Sequence, residues 1–96
     1  MKHIATHRFW ERYDKLPADI RALADKSFRL LKADPGHPSL HLKRIGDLWS
    51  VRVTDKHRAV GIPAPDGIAW IWIGTHKEYE RRIQRQLREE DSPDYA

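Results

Sequence analysis

The segment Ile68-Ala69-Trp70-Ile71-Trp72-Ile73 is apolar at every position. Turn-forming residues bound it on both sides, with Pro63-Ala64-Pro65-Asp66-Gly67 before it and Gly74-Thr75 after it. A strand with one wet face would alternate apolar and polar residues, and this one does not. The lack of alternation predicts a central strand, covered on both faces. The remaining elements must be arranged around it.

The 96 residues suffice for one domain, residues 1–96, and leave no room for two independent cores. Hydrophobic residues make up 40% and charged residues 33%, a globular balance that excludes wholesale disorder. Phe9, Trp10 and Tyr13 lie at helical spacing after Thr6, a suitable cap for a short helix. Pro17 opens a second helix, in which Ile20, Leu23, Ala24, Phe28 and Leu31 recur at a helical period. Asp34-Pro35-Gly36 ends it. The pair is predicted to form a helical hairpin.

The second half reads as strands. Leu42 to Ile45 is a short one, and Trp49-Ser50-Val51-Arg52-Val53-Thr54 alternates as a half-buried strand does. After a turn at Thr54-Asp55-Lys56-His57, Arg58-Ala59-Val60-Gly61-Ile62 returns antiparallel. A last helix spans about His76 to Arg88, with Tyr79, Ile83 and Leu87 as its apolar stripe. Residues 89–96 form an acidic, frayed tail. The predicted fold class is α+β: an N-terminal helical hairpin packed on one face of a small, mainly antiparallel β-sheet, with a C-terminal helix.

The chain has no cysteine, which excludes disulfides, thiolate chemistry and Cys-based zinc sites. It carries neither the apolar core of a secretory signal nor a membrane-spanning run. These features fit a cytoplasmic protein with no membrane partner. The net charge of +4 favours polyanions or acidic protein partners. Lys43, Arg44, Arg52, Lys56 and Arg58 cluster in the strand region, and Lys77, Arg81, Arg82, Arg85 and Arg88 on the last helix.

No glycine-rich phosphate loop, paired-carboxylate site or nucleophile motif is present. His37 and His41 have a metal-site spacing, but Pro38 between them disfavours a helical ligand pair, so no metal or other cofactor is expected. What remains is cationic. Arg52 and Arg58 flank one hairpin turn, Lys56 and His57 lie within it, and His76 follows the last strand near the same end of the sheet. Metal-free RNA cleavage needs these residue types. A base deprotonates the 2′-hydroxyl, an acid protonates the leaving 5′-oxygen, and cations stabilise the phosphorane. Arginine suits the cationic role through its two-point grip on phosphate, and histidine suits proton transfer through its near-neutral pKa. Plainer readings stand beside these. Arg52 between Val51 and Val53 fits a residue that only solvates an open sheet face, and Trp49, Trp70 and Trp72 fit core positions as well as base-stacking platforms. Alternation also puts Arg58 on the face of Val60 and Ile62. Either Arg58 sits at the strand margin, or Ala59 and Gly61 mark the side packed by helices.

The stretch from Leu48 to Val60, followed by Trp72-Ile73-Gly74-Thr75-His76-Lys77-Glu78-Tyr79, resembles the RelE/ParE toxin superfamily of type II toxin–antitoxin systems. The points of likeness are an aromatic-Ser-x-Arg strand, a turn ending in His-Arg, and a His-x-x-Tyr ending. The Leu16-Pro17 start of the second helix adds to them. The resemblance implies a sheet with an N-terminal helical hairpin and a cognate antitoxin that wraps the toxin. For RelE-like members it implies metal-independent mRNA cleavage on the ribosome, and for ParE-like members inhibition of DNA gyrase by binding. The positions it marks as catalytic are Arg52, Arg58, His76 and Tyr79. Lys43, Arg44, Lys56 and His57 are the accompanying RNA-binding candidates. A family member kept only for antitoxin binding is a third alternative.

Overall fold

In the computed structural model, residues 2–82 are described. The order is β1 (Lys2–Ala5), α1 (His7–Tyr13), α2 (Ala18–Ala33), a 3-10 turn (Pro38–Leu40), β2 (Lys43–Ile45), β3 (Leu48–Thr54), β4 (His57–Ala64) and β5 (Gly67–Thr75). Residues 76–82 then begin a last helix. The Ile83 and Leu87 part of its predicted stripe, and the predicted tail, lie outside the described residues.

The helix boundaries follow their local chemistry. Thr6 caps α1, its hydroxyl accepting from the Phe9 amide at 3.3 Å. Pro17 precedes α2, Asp19 lies in the first turn and Lys32 in the last, each placed favourably for the helix dipole. The two helices are tied by Tyr13, whose hydroxyl donates to Asp25 at 2.7 Å.

The five strands are ordered β1-β5-β4-β3-β2. Every pairing is antiparallel except β1 with β5, which is parallel. The apolar strand is therefore interior, as its pattern predicts, but β4 rather than β5 is the middle strand. The unpredicted β1 takes the place beside β5. It covers only Gly67 to Trp70. Beyond it α1 closes the edge of β5, where Arg12 Nε donates to the Ile73 carbonyl at 3.5 Å.

A register shift where Val60-Gly61 faces β5 leaves Ile71 as an extra residue between Trp70 and Trp72. Alternation is reset there, and the two tryptophans face opposite sides. Trp70 joins Ala24, Leu31, Val51, Ala59 and Ile73 beneath α1 and α2. Trp72 joins Leu48, Val60 and Tyr79 on the other side. The helices thus divide between the two faces of the sheet. The N-terminal pair covers one face, and the last helix places Tyr79 on the opposite one. Burial of Ala59 under the helices also resolves the ambiguity at Arg58, which lies on the Tyr79 face.

Candidate functional site

β3 and β4 are joined by a tight turn at Asp55 and Lys56. Their ladder sets Arg52 directly opposite Arg58, and Ser50 opposite Val60. The Lys43–Ser50 pairing extends the same face to β2. Lys43, Arg52 and Arg58 thus share the sheet face opposite α1 and α2.

Like charges directly opposite one another across a ladder repel. Two local arrangements offset this. Arg52 Nη2 donates to the Asp55 carboxylate in the turn. Arg58 Nη1 donates to the carbonyls of Thr54 at 2.6 Å and His57 at 2.9 Å. Partial burial, then the charge of Arg52, lowers the Arg58 pKa, and the nearby Tyr79 acts in the opposite sense. The guanidinium stays a cation at neutral pH all the same. It is anchored through one nitrogen, and its other edge makes no hydrogen bond among the described residues.

The last helix is fastened beside this pair. Thr75 Oγ1 accepts from the Glu78 amide at 3.3 Å, while Glu78 Oε1 accepts from the Thr75 amide at 3.1 Å. This reciprocal capping box is spelled out in Thr75-His76-Lys77-Glu78. The His76 amide then donates to the Lys56 carbonyl at 2.6 Å, which clips the helix to the β3–β4 turn. The His76 ring stacks on Tyr79 with centroids 5.8 Å apart. His76 Nδ1 lies 3.4 Å from Glu80 Oε1, and Nε2 has no partner among the described residues. Tyr79 is 6% exposed, and its hydroxyl is enclosed with no hydrogen-bond partner among the described residues.

The structure therefore brings Arg52, Arg58, His76 and Tyr79 to one end of one sheet face, with Lys43 farther along it and Lys56 exposed in the turn. Two candidates stand elsewhere. His57 precedes Arg58 in the strand and projects to the other face. Its Nδ1 lies 3.0 Å from Thr54 Oγ1, and burial lowers its pKa against the opposing pull of Asp19 on α2. Arg44 faces that same side, with its guanidinium 5.8 Å from the Trp49 ring centre and Nε donating to the Gly46 carbonyl at 3.1 Å.

Three participants have no assigned role in the sequence reading. Asp55 neutralises Arg52. Glu78 holds the helix start, and its carboxyl is kept below the usual carboxylate range first by the Arg12 hydrogen bond and then by Thr75. Arg12 donates to Glu78 Oε2 at 2.7 Å and lies 5.4 Å over the Trp72 ring. Only Glu78 carried a readable sign, the Thr-x-x-Glu spacing. Among the described residues no group of three or more His, Asp or Glu is placed to hold a metal ion. A cavity of about 80 Å³ lies under the helices among Phe9, Tyr13, Ala24, Phe28 and Trp70. Its apolar walls offer nothing to an anion. Among the described residues, no helix is long and apolar enough to cross a membrane.

No protein-family model matches the sequence, and no curated protein matches it. Solved structures do match the fold. Toxin from the RelB–RelE antitoxin–toxin complex of Methanococcus jannaschii superposes with a TM-score of 0.64 at 13% identity, over 82% of this chain and 96% of that one. The fold is that of the RelE/ParE toxins. A YoeB/ParE toxin from Agrobacterium tumefaciens gives 0.61 at 21% identity, over 79% and 99%. The isolated RelE toxin of E. coli gives 0.56 at 16% identity, over 88% and 97%. Each superposition covers nearly the whole of the solved chain.

Proposed function

We propose that this protein is the toxin of a type II toxin–antitoxin system and cleaves mRNA on the ribosome without a metal ion, so blocking translation in the cytoplasm. The observation that carries this reading is the direct cross-strand pairing of Arg52 with Arg58 beside His76 and Tyr79. In the proposed reaction the two guanidinium groups grip the scissile phosphate. They stabilise the charge that grows on it as the 2′-oxygen attacks. His76 takes the 2′-hydroxyl proton through Nε2 as the P–O2′ bond forms, and the P–O5′ bond breaks to leave a 2′,3′-cyclic phosphate and a 5′-oxygen that is protonated from solvent. Tyr79 supports the imidazole by stacking. Lys43 and Lys56 attract the flanking backbone. The partner that restrains the protein is an antitoxin, as in the M. jannaschii complex.

A second reading is a ParE-like inhibitor of DNA gyrase that acts by binding alone. It is favoured by the enclosure of the Tyr79 hydroxyl, which no reacting atom reaches in this state. The two readings separate on purified, programmed ribosomes. Wild type is expected to cut the mRNA, and folded Arg58→Ala and His76→Gln variants to cut far more slowly. Equal cutting by all three would remove these roles. A wild type that never cuts but inhibits gyrase would establish the binding-only reading.

A further inference from the structure

We infer that Asp55 is a built-in competitor for the phosphate, holding the Arg52 guanidinium until RNA displaces it. The inference rests on the reading of the Arg52–Arg58 face as an RNA site. Arg52 and Arg58 are opposite one another on adjacent strands, an arrangement that draws an anion between or beside them. Arg58 is held by two backbone carbonyls, which bring partial charge but no full negative charge. Asp55 supplies the full charge to Arg52.

Its position suits a temporary occupant. The Asp55 side chain is 84% exposed, whereas that of Arg52 is 31% exposed. The arginine is fixed in the strand, and the carboxylate stands on a turn from which it can rotate into water. Asp55 makes no other side-chain hydrogen bond or ion pair among the described residues, so its release breaks no other polar interaction. A phosphodiester approaching the pair offers two oxygens to the same fork and satisfies both arginines together, which one carboxylate in the turn does not. Asp55 would thus weaken the grip on any single phosphate and leave appreciable affinity only to ligands that also engage Arg58 and the lysines around it.

The test is anisotropy of a labelled short single-stranded RNA at about 0.15 M salt, where the Debye length is about 8 Å. Asp47 provides the control, since its side chain is also 84% exposed and lies beside Arg44 on the other face. Asp55→Asn is expected to tighten binding roughly fivefold, about the upper worth of one exposed ion pair. Asp47→Asn makes the same change in net charge and is expected to leave binding within about twofold, as a distant screened charge should. In an Arg52→Gln background the Asp55→Asn gain should vanish. Equal tightening by both substitutions would overturn the inference in favour of bulk charge. Unchanged binding by Asp55→Asn, with the wild type binding normally, would overturn it while leaving the RNA reading intact. If neither the wild type nor Asp55→Asn binds RNA, both fall together.

Discussion

Trp70 donates its indole Nε1 proton to His3 Nδ1 at 3.1 Å, so the edge strand is fastened to the core through a side chain that can titrate. His3 also meets Phe28 edge-on at 5.9 Å. Burial lowers its pKa first, and the chain's amino terminus and Lys32 add to the effect. At neutral pH the imidazole is mostly unprotonated in both the folded and the unfolded chain. As pH falls through about 6.5, the unfolded chain takes up the proton first, and stability drops until the lower folded pKa is passed, below which the loss is complete and constant. Thermal unfolding is therefore expected to shift downward between pH 7 and pH 5. The wild-type slope also includes His57, whose pKa is lowered in the same direction. His3→Asn keeps an acceptor for Trp70 without a titrating ring and should flatten the slope. An unaltered slope in that variant would show that His3 contributes nothing.

Gly61 faces the indole that His3 holds. A methyl group there would lie 2.4 Å from Ile68 Cγ2 and 3.0 Å from Trp70 Cε3. Gly61→Ala is expected to cost about 1–3 kcal/mol through overpacking. Urea denaturation reads this directly, and an unchanged midpoint would mean that Ile68 and Trp70 repack freely.

The Thr75 hydroxyl caps the start of the helix carrying His76 and Tyr79 by accepting from the Glu78 amide. Thr75→Ala should lose about 1 kcal/mol of stability, and Thr75→Ser should lose much less because its hydroxyl can still accept from the Glu78 amide. If alanine and serine behave alike, the hydroxyl is not what holds that helix.

For the proposed activity, Arg58→Ala should relieve growth arrest when the protein is expressed without an antitoxin. One lost transition-state contact of this kind slows the reaction by about a hundredfold or more. Arg58→Lys should recover only part of it, since an ammonium keeps the charge and loses the fork. Circular dichroism is the check that each variant is folded. Full toxicity of folded Arg58→Ala would remove the residue from the mechanism.

The elements legible in the sequence were those specified by neighbours in the chain. Thr6, Pro17 and Asp34-Pro35-Gly36 mark the helix limits, and alternation around Ser50 marks β3. β1 was not legible, because four residues of mixed character acquire their strand only from the distant edge of β5. The bulge at Ile71 was equally hidden. Where every residue is apolar there is no alternation for an extra residue to break, so Trp70 and Trp72 read as one face when they occupy two. Within the site, Arg52 and Arg58 were identifiable from their places around the turn. Setting His57 and Arg44 apart from them required knowing which face the helices cover, which depends on packing between distant segments. Asp55 could be read as a charge but not as the partner of Arg52.

The parallel pairing of Lys2–Ala5 with residues 67–70 also has a bearing on synthesis. At about 5–20 residues per second, β1 leaves the ribosome roughly three to thirteen seconds before the strand it pairs with. Both helices can form in that interval, while β1 remains an edge with no neighbour and the indole that will hold His3 has yet to be made. Closing so long a loop is among the slower steps available to a small domain. The same late segment brings Thr75 and the helix start that covers Arg58. A nascent chain thus passes through a stage with its helices formed and its cationic face unfinished, and the two ends of the sheet mature almost together.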